Sequence, residues 1–261
     1  MNTYPSDLLV DSRWLVENLT NSNLRILDVR GMGYRLGHIP QAIALDLGRD
    51  FFIFAGRTVS SAPPEHIAQA LSKLGVANDT TIVLYDDTND QPVALAYWSL
   101  RHIGHRDVKI LHGGFIGWRN AGSAVSHDVP SFTPSQYRPQ INDDLVASAE
   151  WIQANENRAD VLLLDVRSYG EYVNGHIPHA VNLPYDSSLN WQTMFFREAE
   201  KLRAQFESVG ATPDKEIVVY CHTGMRSAHA FLTLSLMGYP RMRNYAGSMA
   251  DWYETRQLPI E

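Results

Sequence analysis

The stretch CHTGMRS, residues 221 to 227, gathers the residue types that nucleophilic chemistry on a small anion requires. Cys221 is the only cysteine of the chain, followed by His222, Thr223, Gly224, Met225, Arg226 and Ser227. A thiolate attacks where a thiol does not, and a guanidinium together with the positive end of a helix favours the thiolate. Gly224 suits a tight curl, because it takes positive φ without penalty and lets the backbone approach a bound anion. Met225 follows it. A lone cysteine is otherwise a small buried hydrophobe, so the reading depends on where the chain places it.

The residues before Cys221, EIVVY, are nearly all apolar and read as a central strand covered on both faces. SAHAFLTLSLMG, which follows, reads as a helix. The cysteine therefore opens a strand-to-helix turn, whose backbone N–H groups and helix dipole welcome anions. The same alternation runs through the chain. LRILDV, TTIVLYD and DVKILH read as strands, and PVALAYWSLRHIG reads as a helix. PPEHIAQALSKLG is a second helix, with Ile67, Ala70, Leu71 and Leu74 on one face and Gly75 as its stop. The expected fold class is α/β, with parallel sheets flanked by helices.

Self-similarity divides the chain in two. LRILDVRGMGYRLGHIPQAIALD, from residue 24, recurs as VLLLDVRSYGEYVNGHIPHAVNLP, from residue 161. In the same order VDSRWLVENL answers VASAEWIQAN, TTIVLYDD answers KEIVVYCH, and LHGGFIGW answers NYAGSMADW. Between the copies SHDVPSFTPSQYRPQIN, with three prolines and no apolar period, reads as an exposed connector. The expected organisation is a first domain over 1–126, a linker over 127–143 and a second domain over 144–261. Where the second copy has Cys221 the first has Asp86, with no matching arginine, so thiol chemistry belongs to the second domain and the first is catalytically inactive.

Composition sets outer limits. The 261 residues carry a formal charge of -7, are 44% hydrophobic and 20% charged, and give no global reason to bind nucleic acid or an anionic membrane. One cysteine can form neither an internal disulfide nor a cysteine-rich zinc site. The start, MNTYPSDLLVDSRW, lacks a basic and then apolar leader, and no run approaches a membrane span of about 18 apolar residues. A cytoplasmic protein is expected.

LDVR at 27–30 and 164–167, GHIP at 37–40 and 175–178, the CHTGMRS loop, and the closing GGFIGW and GSMADW together resemble the rhodanese family of sulfurtransferases in its tandem form. The resemblance spans nearly the whole chain. It implies two rhodanese-like domains, the second catalytic, in which Cys221 attacks the outer sulfur of a donor such as thiosulfate and holds it as a persulfide until an acceptor takes it. The N–H groups of His222 through Ser227 would cradle that sulfur. Arg226 would hold the donor's sulfonate through its guanidinium fork, or act as a counter-charge that shapes the loop. Arg167 resembles a family arginine near the loop and would bind the donor directly, or else pair with Glu171, four residues on. His222 and Thr223 could tune the thiol or touch the donor, and Ser227 could cap the following helix. Arg30 and His38, in the copy without a nucleophile, have structural roles by the same comparison.

The loop departs from the Cys-Gly-Ser/Thr-Gly of mercaptopyruvate sulfurtransferases and from the Cys-Arg-Lys-Gly of vertebrate-type thiosulfate enzymes. An arginine at the fifth position resembles bacterial thiosulfate-type members, so thiosulfate is the first expected donor and mercaptopyruvate the alternative. Mercaptopyruvate enzymes also carry a histidine after a Gly-Arg of the first domain, where this chain has Thr58 after Gly56 and Arg57. The expected partners are a small-molecule sulfur donor and acceptor, or a protein in either role as in a persulfide relay. No cofactor is expected.

Three other readings compete. Cys-based phosphatases use a Cys-x5-Arg loop that wraps a tetrahedral phosphate, whereas four residues separate Cys221 from Arg226. A non-catalytic binding module suits the first domain, since Asp86 cannot carry sulfur, but not the intact second loop. His102, His105 and His112 invite a metal site, yet no cysteine or obvious carboxylate completes a set and the second copy's MGYPRMRNY has no histidine.

Overall fold

The computed structural model describes residues 4–55, 58–88, 90–190, 192–193 and 195–261. Its first half contains strands β1 (Leu9–Val10), β2 (Leu24–Asp28), β3 (Ala42–Ala44), β4 (Phe52–Ala55), β5 (Thr58–Ser61), β6 (Thr81–Tyr85) and β7 (Val108–Leu111). Helices α1 (Ser12–Asn18), α2 (Leu47–Asp50), α3 (Pro64–Lys73), α4 (Gln91–His102) and α5 (Gly114–Asn120) alternate with them. The main sheet is parallel in the order β1-β7-β6-β2-β3, and β4 and β5 form a separate antiparallel hairpin.

The second half repeats this plan. Its elements are α6 (Ala149–Asn155), β8 (Val161–Asp165), α7 (Tyr169–Val173), β9 (Val181–Asn182), β10 (Leu189–Asn190), β11 (Phe195–Phe196), α8 (Ala199–Ser208), β12 (Glu216–Tyr220), α9 (Met225–Leu236) and β13 (Met242–Asn244). The parallel order is β13-β12-β8-β9, and β10 pairs with β11 as the hairpin. Val146 bridges Asn244 in parallel, at the sheet edge where β1 lies on β7 in the first copy. Tyr85 pairs in register with Asp28 and Tyr220 with Asp165, so the two copies agree to the residue at the strand ends that matter. One element differs. The last helix of the second copy, Ala250–Thr255, is a π-helix where α5 is an α-helix.

The repeated LDVR and GHIP blocks form the same staple in each half. Arg30 Nη2 donates to Asp28 at 2.6 Å and to the Gly37 carbonyl at 2.7 Å, and Arg167 Nη2 donates to Asp165 at 2.6 Å and to the Gly175 carbonyl at 2.8 Å. Tyr85 and Tyr220 accept the N–H groups of Ile39 and Ile177, which ties GHIP to the central strand. His38 stacks on Tyr34, with ring centroids 3.9 Å apart, and its ring nitrogens lie at the Tyr34 and Asp128 carbonyls. Arg30 and His38 are thus structural, as expected. Burial of charged groups is tolerated here because every carboxylate of the staple is paired and hydrogen-bonded.

The two halves share a core. α4 packs on α9, with Tyr97 and Phe231 ring centroids 6.4 Å apart, and Leu27, Leu84, Leu164 and Val219 from both central sheets belong to one buried cluster. The opposite face of each sheet is closed by a buried tryptophan, Trp118 in the first copy and Trp252 in the second. Polar ties cross the junction, including Gln91 Nε2 to the Tyr185 hydroxyl at 2.9 Å and the Tyr4 hydroxyl to the Arg197 carbonyl at 2.8 Å. The connector is mostly exposed and irregular, but it is not free of the body. Tyr137 is buried, its N–H donates to Ser72 Oγ at 3.0 Å, and Gln140 N–H donates to the Ile103 carbonyl.

Candidate active site

The chemistry-bearing loop begins where β12, buried along its whole length, ends at Tyr220. Cys221 is 1% exposed and unpaired with any other cysteine. The Gly224 N–H donates to Cys221 Sγ at 3.1 Å, a direct backbone donor to the sulfur. Gly224 is the N-cap of α9 at φ 93, and a Cβ there would lie 2.6 Å from the Ala246 carbonyl oxygen. No other residue meets both demands. The sulfur therefore sits at the amino end of a twelve-residue helix, where the dipole favours negative charge.

A second segment holds the loop from the other side. Met249 N–H donates to the Cys221 carbonyl at 3.2 Å and Ala250 N–H to the His222 carbonyl at 3.0 Å. Ser248, fully buried, accepts the Cys221 N–H on Oγ at 3.0 Å. Its own proton goes to the Tyr245 carbonyl at 2.8 Å, with Cys221 Sγ the alternative acceptor at 3.8 Å. Ser248 has φ 53, and the corresponding residue of the first copy is Gly114 at φ 57. A non-glycine residue held there is strained by about 1–3 kcal/mol. Sequence reasoning passed over Ser248, although GSMADW against GGFIGW places a serine where the first copy has the second of two glycines.

The cations near the thiol are already partnered. Arg226 donates through Nη1 and Nη2 to Glu171 at 2.6 and 2.8 Å, a bidentate pair between α9 and α7. The Glu171 hydrogen bond, opposed by burial and aided by the charge of Cys221, holds the Arg226 guanidinium above its usual range. The same bond, with burial acting against it and Ser168 aiding, holds the Glu171 carboxyl down to about 2. The alternative partner expected for Arg167 was Glu171. The structure corrects this: buried Arg167 lies on Asp165 at the end of β8, while Glu171 occupies the third position of α7 and turns to the loop.

The remaining loop side chains separate. His222 is half-exposed, with Nε2 3.3 Å from Glu254 Oε1. Thr223 and Met225 are half-buried. Ser227 does not cap α9, since Gly224 holds that position. Ser227 is buried and its Oγ donates to the Gly224 carbonyl at 3.0 Å. Beside the loop lies an open cleft of about 550 Å³ lined by Arg167, Glu171, His222, Met249, Tyr253 and Glu254 among others.

The first copy keeps the loop without the sulfur. The Asp86 carboxylate accepts the N–H groups of Thr88 at 2.9 Å, Asp90 at 3.0 Å and Val93 at 3.4 Å, so a fixed anion sits in the turn that Cys221 opens in the second copy. The Asp86 and Asp87 carbonyls accept Phe115 and Ile116, as those of Cys221 and His222 accept Met249 and Ala250. The three histidines do not converge. His102 faces Asp143 at 3.6 Å, His105 lies 2.8 Å from the Thr80 carbonyl, and His112 packs edge-on against Phe195 of the second half. Gly56 and Arg57, which precede Thr58, lie outside the described residues.

Comparison with known proteins agrees with this architecture. The rhodanese-like domain matches twice, at residues 11–121 and 148–255. The chain is 35% identical to the sulfur carrier protein TtuD of Thermus thermophilus, over 97% of this chain and 96% of the relative. It is 28% identical to a thiosulfate sulfurtransferase of Corynebacterium glutamicum, over 97% and 90%. In three dimensions it resembles the 3-mercaptopyruvate sulfurtransferase SseA of Escherichia coli, with a TM-score of 0.84, 24% identity, and coverage of 93% of this chain and 99% of that one. No helix among the described residues is long and apolar enough to cross a membrane. Two matched domains and a near full-length alignment with named sulfurtransferases place the chain in the rhodanese family, as a sulfurtransferase of two rhodanese-like domains.

Proposed function

We propose that the chain moves a sulfane sulfur from thiosulfate to cyanide or a thiol acceptor through a persulfide on Cys221. The observation that carries this reading is the thiol at the amino end of α9, with the Gly224 N–H on its sulfur at 3.1 Å. The Cys221 thiolate attacks the outer sulfur of thiosulfate. A new sulfur–sulfur bond forms as the donor's own breaks, and its electron pair leaves on sulfite. Cyanide or a thiolate then takes the outer sulfur, as thiocyanate or a new persulfide, and Cys221 returns as the thiolate. Both steps conserve charge and need no oxidant or reductant.

In this reading the N–H groups from His222 to Ser227 stabilise the negative outer sulfur as preorganised dipoles, and Arg226 is the cation toward the donor's sulfonate. The second domain, 144–261, carries the reaction. The first, 1–126, joined through 127–143, contributes a wall of the shared core and keeps its own turn filled by Asp86. The deciding experiment is the intact mass of the protein after thiosulfate and then cyanide, wild type against Cys221→Ser. One sulfur gained, removed by cyanide and absent from the variant is expected; no gain counts against thiosulfate as donor. A second reading, in which the persulfide passes to or from a protein, is supported by the name of the Thermus relative, and mercaptopyruvate as donor by that of a 30% identical relative from Pseudomonas aeruginosa, a probable 3-mercaptopyruvate sulfurtransferase.

A further inference from the structure

Arg226 holds a carboxylate with the fork that a sulfonate would need. Both guanidinium nitrogens that point toward Glu171 are engaged, at 2.6 and 2.8 Å, and the side chains are 23% and 37% exposed, so the pair stands at the surface where a donor arrives. Glu171 is anchored independently. It completes a capping box at the start of α7, accepting the Ser168 N–H at 3.2 Å and Ser168 Oγ at 2.9 Å on the same oxygen that meets Arg226 Nη1. The carboxylate cannot swing away without losing the cap. In the neighbouring cleft the Arg167 guanidinium is matched by Asp165, and His222 Nε2 lies 3.3 Å from Glu254. Among the described residues of the cleft, a dianion approaching Cys221 meets two carboxylates, Glu171 and Glu254, and must compete for any guanidinium it uses.

We propose that Glu171 is a specificity-determining residue, which competes with the sulfonate of a free donor for the Arg226 guanidinium. The cleft then disfavours the thiosulfate dianion relative to donors whose sulfane sulfur is carried on an uncharged alkylthio group, such as an alkyl persulfide. This rests on the reading of Cys221 as the persulfide carrier. With an alkyl persulfide the Cys221 thiolate again attacks the terminal sulfur, the donor's sulfur–sulfur bond breaks, and the electron pair leaves on the alkyl thiolate. The donor's proton stays on the transferred sulfur. No group in that exchange needs a guanidinium for a sulfonate, so the Glu171–Arg226 pair can remain closed.

Glu171→Gln tests this, because glutamine keeps the capping geometry and an acceptor while removing the charge. In steady-state transfer to cyanide, the KM for thiosulfate should fall roughly tenfold with kcat nearly unchanged, the loss of one charge-assisted competitor. The KM for a small alkyl persulfide should stay within about twofold. In an Arg226→Gln background the same Glu171→Gln change should leave the thiosulfate KM unaltered, since no guanidinium remains to be released. A thiosulfate KM that rises means that Glu171 only positions Arg226. An equal change with both donors means a general effect on the site, and a tenfold fall that survives without Arg226 means repulsion of the dianion by Glu171 itself. Each of these overturns the proposal. Thermal melts of every variant confirm folding, and the wild-type intact-mass experiment separates the two levels: without sulfur uptake from either donor the persulfide reading falls and this inference falls with it.

Discussion

Cys221, Ser248 and Gly224 act as one unit, because each fixes a different atom of the turn. Removing the Ser248 hydroxyl leaves the Cys221 N–H buried without an acceptor, which costs about 1–3 kcal/mol. Ser248→Ala therefore lowers the melting temperature, while Ser248→Gly loses the same acceptor but relieves the positive φ. The glycine variant should be the more stable of the two by about 1 kcal/mol, read from chemical denaturation. Equal stability would mean that φ 53 carries no strain. At the same scale, the low carboxyl of Glu171 predicts a pH window. Its folded value lies near 2 against an ordinary 4.5, so its contribution is complete above the ordinary value and disappears as the pH falls toward 2. The stability difference between wild type and Glu171→Gln should shrink as melts are taken from pH 6 down to pH 3; a constant difference would show that the ion pair is not its source. The partner of Arg226 could not be read from the sequence. Glu171 sits at helical spacing from Arg167, and only the packing of α7 against the start of α9 shows that it faces the other arginine.

At the scale of elements, the strand-to-helix turn was legible because its signals are local. An apolar strand, a glycine at positive φ and a helix in sequence leave few alternatives, and the structure places α9 two residues earlier than the apolar pattern alone suggested. The earlier start makes Gly224 the cap and moves Ser227 inside the first turn. Gly224→Ala should lower stability by at least about 2 kcal/mol, from backbone strain together with the 2.6 Å approach to Ala246, and should abolish sulfur uptake by intact mass. Stable folding of that variant with full uptake would mean that the cradle geometry does not depend on the αL residue. The π-helix of Ala250–Thr255 escaped the sequence because its period differs from that of an α-helix only through the placement of one residue, which hydrophobicity does not report.

At the scale of the whole molecule, two copies of one unit have diverged in their turns and merged their cores. His112 shows the junction's sensitivity. It lies against Phe195 across the halves, and burial pushes its imidazole down to about 4, slightly opposed by Asp11. The folded state resists its protonation and the unfolded chain does not, so stability is full above the ordinary value near 6.5 and declines as the pH falls toward 4. His102 and His105 are pushed down by burial in the same direction. Between pH 7 and pH 4 the melting temperature of wild type should fall relative to that of His112→Phe. Parallel curves would remove His112 from the acid response.

The sequence by itself determined the duplication, the α/β units, the strand-to-helix turn and the asymmetry between Cys221 and Asp86. Each of these is written in residue type and short-range order, where strand and helix periods and glycine φ act. Tertiary structure alone decided which charges meet. Arg226 chose Glu171 and Arg167 chose Asp165 because folding brings α7, α9 and the end of β8 together, and the strength of an ion pair depends on distance and burial rather than on spacing along the chain. The same holds for Ser248, twenty-seven residues beyond Cys221 yet bonded to its backbone. The parallel pairing of β13 with β12 brings the segment after β13 back to the turn, and no local pattern could announce it.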